Sequence, residues 1–449
     1  MLDRAIGFYH ELLTDDVAQA SQAQLDDQLR RRGLFFGDRP LCTVLRPRLM
    51  SRDRYGGLQE RAALVLGAFD RAHRAAMADS TFRAQFRLLE WEEALAATPP
   101  GFASASPTSR LDAFFEDGGG GLRFTEYNAE TPAGGAYNDV LSDVFLGLPV
   151  MREFLKRYQL RPLPVMHSTL HCLVDAYEQW AGRHEAPRVG ILDWREVPTY
   201  SEFVLFDEYF RSQGVPCVIA DPRELEYAGG RLTAGDFHIT LIYKRVLLSE
   251  LVARQGVDGP VLRAVRDRAV CMVNPPACKL LHKKASLAVL SDERNAHLFT
   301  AGERAAIAEH IPWTRVVEER HTTFGGDEVD LVPFIVAHRD RLVLKPNDEY
   351  GGKGIVLGWE TDAAGWEAAV RTALAEPYIA QERIVLPSEP YPSVVDGRAV
   401  VAERMLDTAP YAFYGEYVDG CLTRLATTML LNVTAGGGSN VPTFLLEER

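Results

Sequence analysis

A multidomain α/β protein is the fold class predicted, on three observations. Apolar residues recur at helical spacing through about the first 97 positions. From Pro187 short β-branched runs alternate with a helical run. From about residue 276 onward helix and strand signals mix. A chain of 449 residues suits about two to four domains, and cores of that size fold without disulfide or metal staples.

Taken in order, GGLQERAALVLGAFDRAHRAAM and FRAQFRLLEWEEALAA predict helices, and Thr98-Pro-Pro-Gly with the Ser/Ala/Pro run to Ser109 predicts a break. RLDAFFEDGGGGLRFTEYN reads as two strands around Asp117 and four glycines, a hairpin. Residues 139–182 read as helical. RVGILDW, VPCVIAD and FHITLIYKR predict three strands, with SEFVLFDEYFRSQG a helix ending at Gly214, a Rossmann-like unit. No Gly-x-Gly-x-x-Gly follows its first strand, so no dinucleotide site is expected. KKASLAVL, AGERAAIAEHI and AGWEAAVRTALA then predict helices among the strands RLVLKP, YIAQERIVL and GRAVVAERML.

Hydrophobic residues make up 47% and charged residues 25%, an ordinary globular balance; Lys plus Arg total 49 against 62 Asp plus Glu, a net charge of −13. Excess acid argues against a nucleic-acid or anionic-membrane partner, which calls for basic patches. It leaves room for a small anion held by a few lysines. Six scattered cysteines without a Cys-x-x-Cys pair, Cys271 and Cys278 among them, predict reduced core thiols. The start, MLDRAIGFYHELL, lacks the pattern of a signal peptide, and no run of 18 apolar residues occurs, so a soluble cytoplasmic protein is expected.

The hairpin carries the strongest local chemistry. With 117–121 as its loop, Glu116 pairs with Leu122, Asp112 with Glu126 and Arg110 with Asn128, all four on one face. A two-residue loop at Gly119–Gly120 instead separates Asp112 and Glu126. Two carboxylates and an amide oxygen are hard ligands suited to Mg²⁺ that shares its shell with phosphate, and the arginine suits transferred phosphate oxygens. A plain polar hairpin face is the competing reading.

In RLVLKPNDEYGGKGIVLG, a strand ends at Lys345-Pro346 and a turn leads to Gly351-Gly352-Lys353-Gly354. Glycines let backbone N–H groups approach an anion, and Lys345 supplies a point charge. Gly354 stands where Walker A requires Ser or Thr, so a plain glycine-rich turn competes. Lys284 opens a helix, and Gln381 and Glu382 in an apolar strand suit an adenine edge.

These residues together resemble the ATP-grasp superfamily, specifically its circularly permuted type 2 branch related to glutathionylspermidine synthetase. Glu126-Tyr-Asn128 precedes Lys345 and the glycines, the inverse of the ordinary order. FTEYNAETPAGG is similar to the Glu-x-Asn-x-Glu-x-Pro-x-Gly block, Arg110-x-Asp112 to the preceding Arg-x-Asp, and IPWTR, AQE and NVTAGG to further blocks. The likeness covers about 105–449. It implies the permuted metal-binding part of the core over 105–150, a helical connector and preATP-grasp domain over 151–275, and the nucleotide-binding part over 276–449, while the helical N-terminal region over 1–104 rests on spacing alone and matches no block of the family. HKK leaves either Lys283 or Lys284 as the nucleotide lysine. No cysteine-protease-like amidase domain is present, which argues against glutathionylspermidine as product.

The resemblance implies an ADP-forming carboxylate–amine ligase using ATP and Mg²⁺, joining a small carboxylate such as an amino acid or peptide to an amine through an acyl phosphate. Asp112, Glu126 and Asn128 take the metal, Arg110 the transferred group, and Lys284, Lys345, Gly351–Gly354, Gln381 and Glu382 the nucleotide. Arg424 is a candidate phosphate or substrate contact, and GGGSN over 436–440 a turn or a loop near the site. Competing readings are a non-catalytic nucleotide-binding scaffold, and a phosphotransferase without amine capture. His167 and His171, four apart in HSTLH, have helical metal-ligand spacing but no third ligand nearby, so partly buried histidines are expected.

Overall fold

The computed structural model describes residues 1–115, 121–427 and 438–448. A nine-stranded sheet organises the molecule. Along its main path run Ser388–Val395, Arg398–Leu406, Tyr417–Ala426, Ala409–Phe413, Thr108–Phe115 and Leu122–Asn128. Ser439–Glu448 branches from Tyr417–Ala426, taking Arg48–Ser51 in parallel and Tyr158–Pro162 antiparallel. The chain's first hundred residues therefore supply a strand to this sheet as well as helices.

The helix Arg52–Ala78 covers the back of the hairpin. Ser51 caps it by accepting the Arg54 N–H at 3.2 Å. Tyr55, Leu58, Ala62, Val65, Phe69, Ala72 and Ala76 recur at three- and four-residue steps, so one stripe is buried. That stripe meets Leu111, Ala113, Phe124 and Tyr127, with the Phe69 and Tyr127 rings 4.5 Å apart. Truncating Phe69 to alanine costs about 3–5 kcal/mol on this packing. Because the back of the hairpin is apolar and covered, its polar face is forced to the opposite side.

A four-stranded all-parallel sheet, Cys271–Val273, Leu241–Lys244, Val189–Leu192 and Cys217–Ala220, forms the Rossmann-like unit. Another four-stranded sheet, Thr314–Val316, Tyr378–Glu382, Leu342–Pro346 and Val356–Leu357, is antiparallel. Ala363–Ala375 packs on it through Trp366 and Val370. This sheet carries the lysine and glycine loop toward the hairpin.

Four expectations need correction. Residues 139–182 are interrupted by the strand Tyr158–Pro162, which finds its partner in the distant C-terminal strand. FHITLIYKR is two strands: Phe237–Ile239 closes a three-stranded meander, while Leu241–Lys244 enters the parallel sheet. YIAQERIVL is a strand only over Tyr378–Glu382, because its pairing with Leu342–Pro346 ends there. His167 and His171 meet edge to face at 5.1 Å but are exposed on Met166–Ala181. All six cysteines are buried and free. No helix is long and apolar enough to cross a membrane among the described residues.

Candidate active site

The hairpin pairs Arg110 with Asn128 and Asp112 with Glu126, the register that places these four residues on one face. Beyond Asp112 the register shifts, and Phe115, not Glu116, pairs with Leu122. The cause lies in burial. Phe124 and Tyr127 are three apart, yet both belong to the apolar back, so one extra residue must bulge between them. That residue is Thr125, whose hydroxyl donates to the Asp112 carbonyl at 3.3 Å. Glu116, Asp117 and the turn of four glycines lie outside the described residues except for Gly121, as do NVTAGG and the first two glycines of GGGSN.

Asp112 is buried at the centre of a charge cluster. Arg110 donates to it twice, at 2.7 and 3.1 Å, and Arg424 Nη2 donates at 2.8 Å. Burial raises the carboxyl, but the two guanidinium groups more than offset it and hold Asp112 far below the usual range. Arg424 is itself gripped by Asp407, through Nε at 2.6 Å and its backbone N–H at 2.7 Å. Asp407 is held above its usual range by burial, against the pull of Arg424.

Glu126 accepts from Lys284 Nζ at 3.0 Å, and Lys284 also donates to the Glu349 carbonyl at 2.7 Å. Burial raises Glu126, and Lys284 brings it below the ordinary value. Of the two adjacent lysines, Lys284 therefore reaches the hairpin. Lys283 instead bridges Glu92 at 2.7 Å and Asp348 at 3.0 Å. Lys345 donates to Gln381 Oε1 at 2.7 Å. Burial lowers the Lys345 ammonium to about 8, with Glu126 opposing and Lys284 reinforcing the shift.

Asp112, Glu126, Lys345, Gly351, Gly352 and Arg424 line a cavity of about 660 Å³, whose lining does not include Arg110, Asn128 or Lys284. Its remaining wall contains Val343, Ile355, Leu357, Trp359 and Met405. Charged groups beside apolar side chains suit a ligand with a flat apolar body and an anionic tail. Gly351 and Gly352 have φ of 66° and 78°, and at Gly354 (φ 72°) a Cβ would lie 2.7 Å from Pro346 Cγ, so only glycine lets the loop fold back here.

Several expected residues have other placements. Gln381 is spent internally, accepting from Lys345 and donating to Thr314 at 3.1 Å, although it borders the cavity. Glu382 also borders it, with Arg341 at 3.6 Å. Lys353 is 76% exposed and pairs with Glu349. Arg110 stands behind Asp112, with Nη1 on the Ala133 carbonyl at 2.6 Å. Asn128 makes no side-chain hydrogen bond among the described residues.

Among the described residues no group of three or more His, Cys, Asp or Glu is arranged for a metal ion. The hairpin provides two carboxylates and one free amide. That donor set fits a hard cation whose remaining shell comes from phosphate and water, and not an all-protein cage.

Sequence reasoning missed three acids. Asp407 orients Arg424. Asp348 fixes the base of the glycine loop by accepting from Lys279 at 2.8 Å and Lys283 at 3.0 Å. Glu130, wholly buried, accepts from Lys279 at 2.9 Å, Lys244 at 3.2 Å and the Leu248 N–H at 2.6 Å. Glu130 and Asp348 lie inside the motifs already singled out, whereas Asp407 has no local signal.

No family model matches the chain. It is 27% identical over 217 residues to a protein of Frankia alni named putative glutamate–cysteine ligase 2-3, a stretch covering 45% of this chain and 23% of that protein. A similarly named protein of Frankia casuarinae is 25% identical over 215 residues, again 23% of its length. The matched stretch thus spans about a quarter of these relatives. An uncharacterized Synechocystis protein is 25% identical over 72% of this chain and 66% of its own. In fold, the chain is similar to a glutathione synthetase-like effector from Globodera pallida, with a TM-score of 0.58 and 12% identity over 95% of this chain and 96% of that one. The mixed α/β architecture is thus a glutathione synthetase-like fold.

Proposed function

We propose that the protein is an ATP-dependent carboxylate–amine ligase of circularly permuted ATP-grasp type, forming an amide through an acyl phosphate. The observation that carries this reading is one cavity in which Asp112 and Glu126 of the hairpin face Lys345, Gly351 and Gly352 of the loop. The ligase names of the relatives and the glutathione synthetase-like fold support it.

In this reading Lys345, Lys284 and the glycine N–H groups neutralise the triphosphate, and the apolar wall takes the adenine. Asp112, Glu126 and Asn128 would hold Mg²⁺, which would neutralise phosphate charge when bound. The substrate carboxylate attacks the γ-phosphorus, the bond to the bridging oxygen breaks, and ADP leaves. Arg424 stabilises the transferred group in that step, and Arg110 holds Asp112 in place from behind. The amine then attacks the acyl carbon, gives up a proton, and phosphate departs. Such catalysis is mostly positioning and charge neutralisation.

Lys345, Lys284 and Arg424 each already have an anionic or carbonyl partner, so ligand binding is an exchange of partners. Triphosphate drawing Lys284 away from Glu126 frees that carboxylate for the cation, which makes nucleotide and Mg²⁺ bind cooperatively. The direct test is phosphate release from Mg-ATP with pools of amino acids, peptides and amines, with the amide identified by mass spectrometry. Absence of substrate-dependent release from every pool, together with no nucleotide binding by calorimetry, refutes the proposal.

A further inference from the structure

A second cavity of about 660 Å³ lies on the other side of the segment Glu382–Val385, sharing only that segment and Phe114 with the first. Its apolar wall includes Phe299, Ile307, Ile311 and Trp313. The Trp313 indole N–H is satisfied by the Thr323 carbonyl at 2.8 Å, which leaves its ring for contact. Three arginines border the space: Arg123, opposite Phe114 in the hairpin, Arg304 and Arg383.

The charge balance there is uneven. The carboxylates in the lining are already engaged by arginines outside it: Asp292 by Arg294 at 2.8 Å and Arg320 at 2.6 Å, Glu293 by Arg315 at 2.7 Å, and Glu382 by Arg341 at 3.6 Å. None of Arg123, Arg304 and Arg383 has a carboxylate partner among the described residues. Arg304 donates to the Phe299 carbonyl at 2.5 Å, and Arg383 lies 4.4 Å over the Trp359 ring. Guanidinium groups without carboxylates beside an apolar wall select for an anion with an apolar body, and the volume is that of a small-molecule site.

We propose that this cavity is a second ligand site, for a small organic anion with an aromatic or aliphatic body, separate from the nucleotide cavity. The assignment stands on this geometry whether or not the ligase reading holds. The full-length protein is titrated with 8-anilinonaphthalene-1-sulfonate, an aromatic anion, and with neutral N-phenyl-1-naphthylamine, following emission sensitised by Trp313. The expected result is one saturable site for the anion, weakened about tenfold in each of Arg123→Ala and Arg304→Ala, and unchanged in Lys345→Ala, which alters the first cavity. Trp313→Phe should remove most of the sensitised emission. Equal binding of the neutral probe, equal binding to the two arginine variants, or loss of binding in Lys345→Ala alone overturns the proposal. Circular dichroism checks that each variant is folded, and the charge-conserving Arg304→Lys should recover part of the binding.

Discussion

Two buried charge clusters lie in this protein, one pairing acids with lysines alone and the other mainly with arginines. Around Glu130, the carboxylates of Glu130, Asp348 and Glu92 meet Lys244, Lys279 and Lys283. Around Asp112 and Glu126, the partners are Arg110, Arg424 and Lys284, with Asp407 behind. The first cluster balances three acids with three lysines, ties five segments together and does not line the cavity beside Asp112. The second opens onto that cavity and retains an amide with no partner. Buried charge alone does not mark a site; what distinguishes the second cluster is room for a ligand to take over its partners.

The largest effect that separates the clusters is expected at Glu130. Glu130→Ala leaves Lys244 buried without its acid and Lys279 with Asp348 alone, and should cost about 3–5 kcal/mol, read as a lower midpoint in chemical denaturation. An unchanged midpoint breaks the comparison. Glu126→Gln should leave the midpoint nearly in place, since Glu126 keeps 26% side-chain exposure, while turnover falls by about 10²–10³, the scale of an electrostatic stabiliser. Turnover at the wild-type level would remove Glu126 from the metal assignment. Asp407→Asn should lower turnover by about 10–100-fold, as outer partners of a site do, with nucleotide affinity changed less than turnover.

The pH dependence sharpens the contrast further. Lys345 titrates at about 8 in the fold, down from 10.5. Its charged form is disfavoured by folding, so its destabilising contribution is full below about 8 and is relieved as pH rises from about 8 toward 10.5. Nucleotide affinity should run the other way, falling about tenfold from pH 7 to 9 as the ammonium is lost. Calorimetry on Lys345→Arg, which stays charged, should show that fall abolished. The smallest effect is expected at Lys353→Ala, which removes an exposed pair and should change stability by less than about 1 kcal/mol, with turnover unchanged.

The period-two pattern of RLDAFF and FTEYN made the hairpin face legible, because residues two apart must share a side. It did not reveal the bulge, although Phe124 and Tyr127, both apolar and three apart, carried that signal. Lysine 345 and the glycines were legible for a similar local reason: a strand stop and positive-φ turns are written in adjacent residues. Asp407 was not, since its meaning depends on Arg424 across a strand pair and on Asp112 in another part of the chain. The choice between Lys283 and Lys284 likewise depends on Glu92 and Asp348, which no spacing within HKK encodes. FHITLIYKR misled because two short strands of different sheets run on without a turn residue between them.

The hairpin and its cations also differ in when they can meet during folding. Asp112 and Glu126 are 126 − 112 = 14 residues apart, whereas Lys284 closes a separation of 158 and Arg424 one of 312. By loop-closure entropy the lysine contact costs about 2 kcal/mol more to form than the hairpin contact. Within the hairpin Arg110 already neutralises Asp112, whereas Glu126 gains its cation only when Lys284 arrives. Low pH, by neutralising Glu126 before Lys284 reaches it, should speed hairpin formation in refolding, so the order of assembly leaves Glu126 the one acid of the pair that waits on a distant cation.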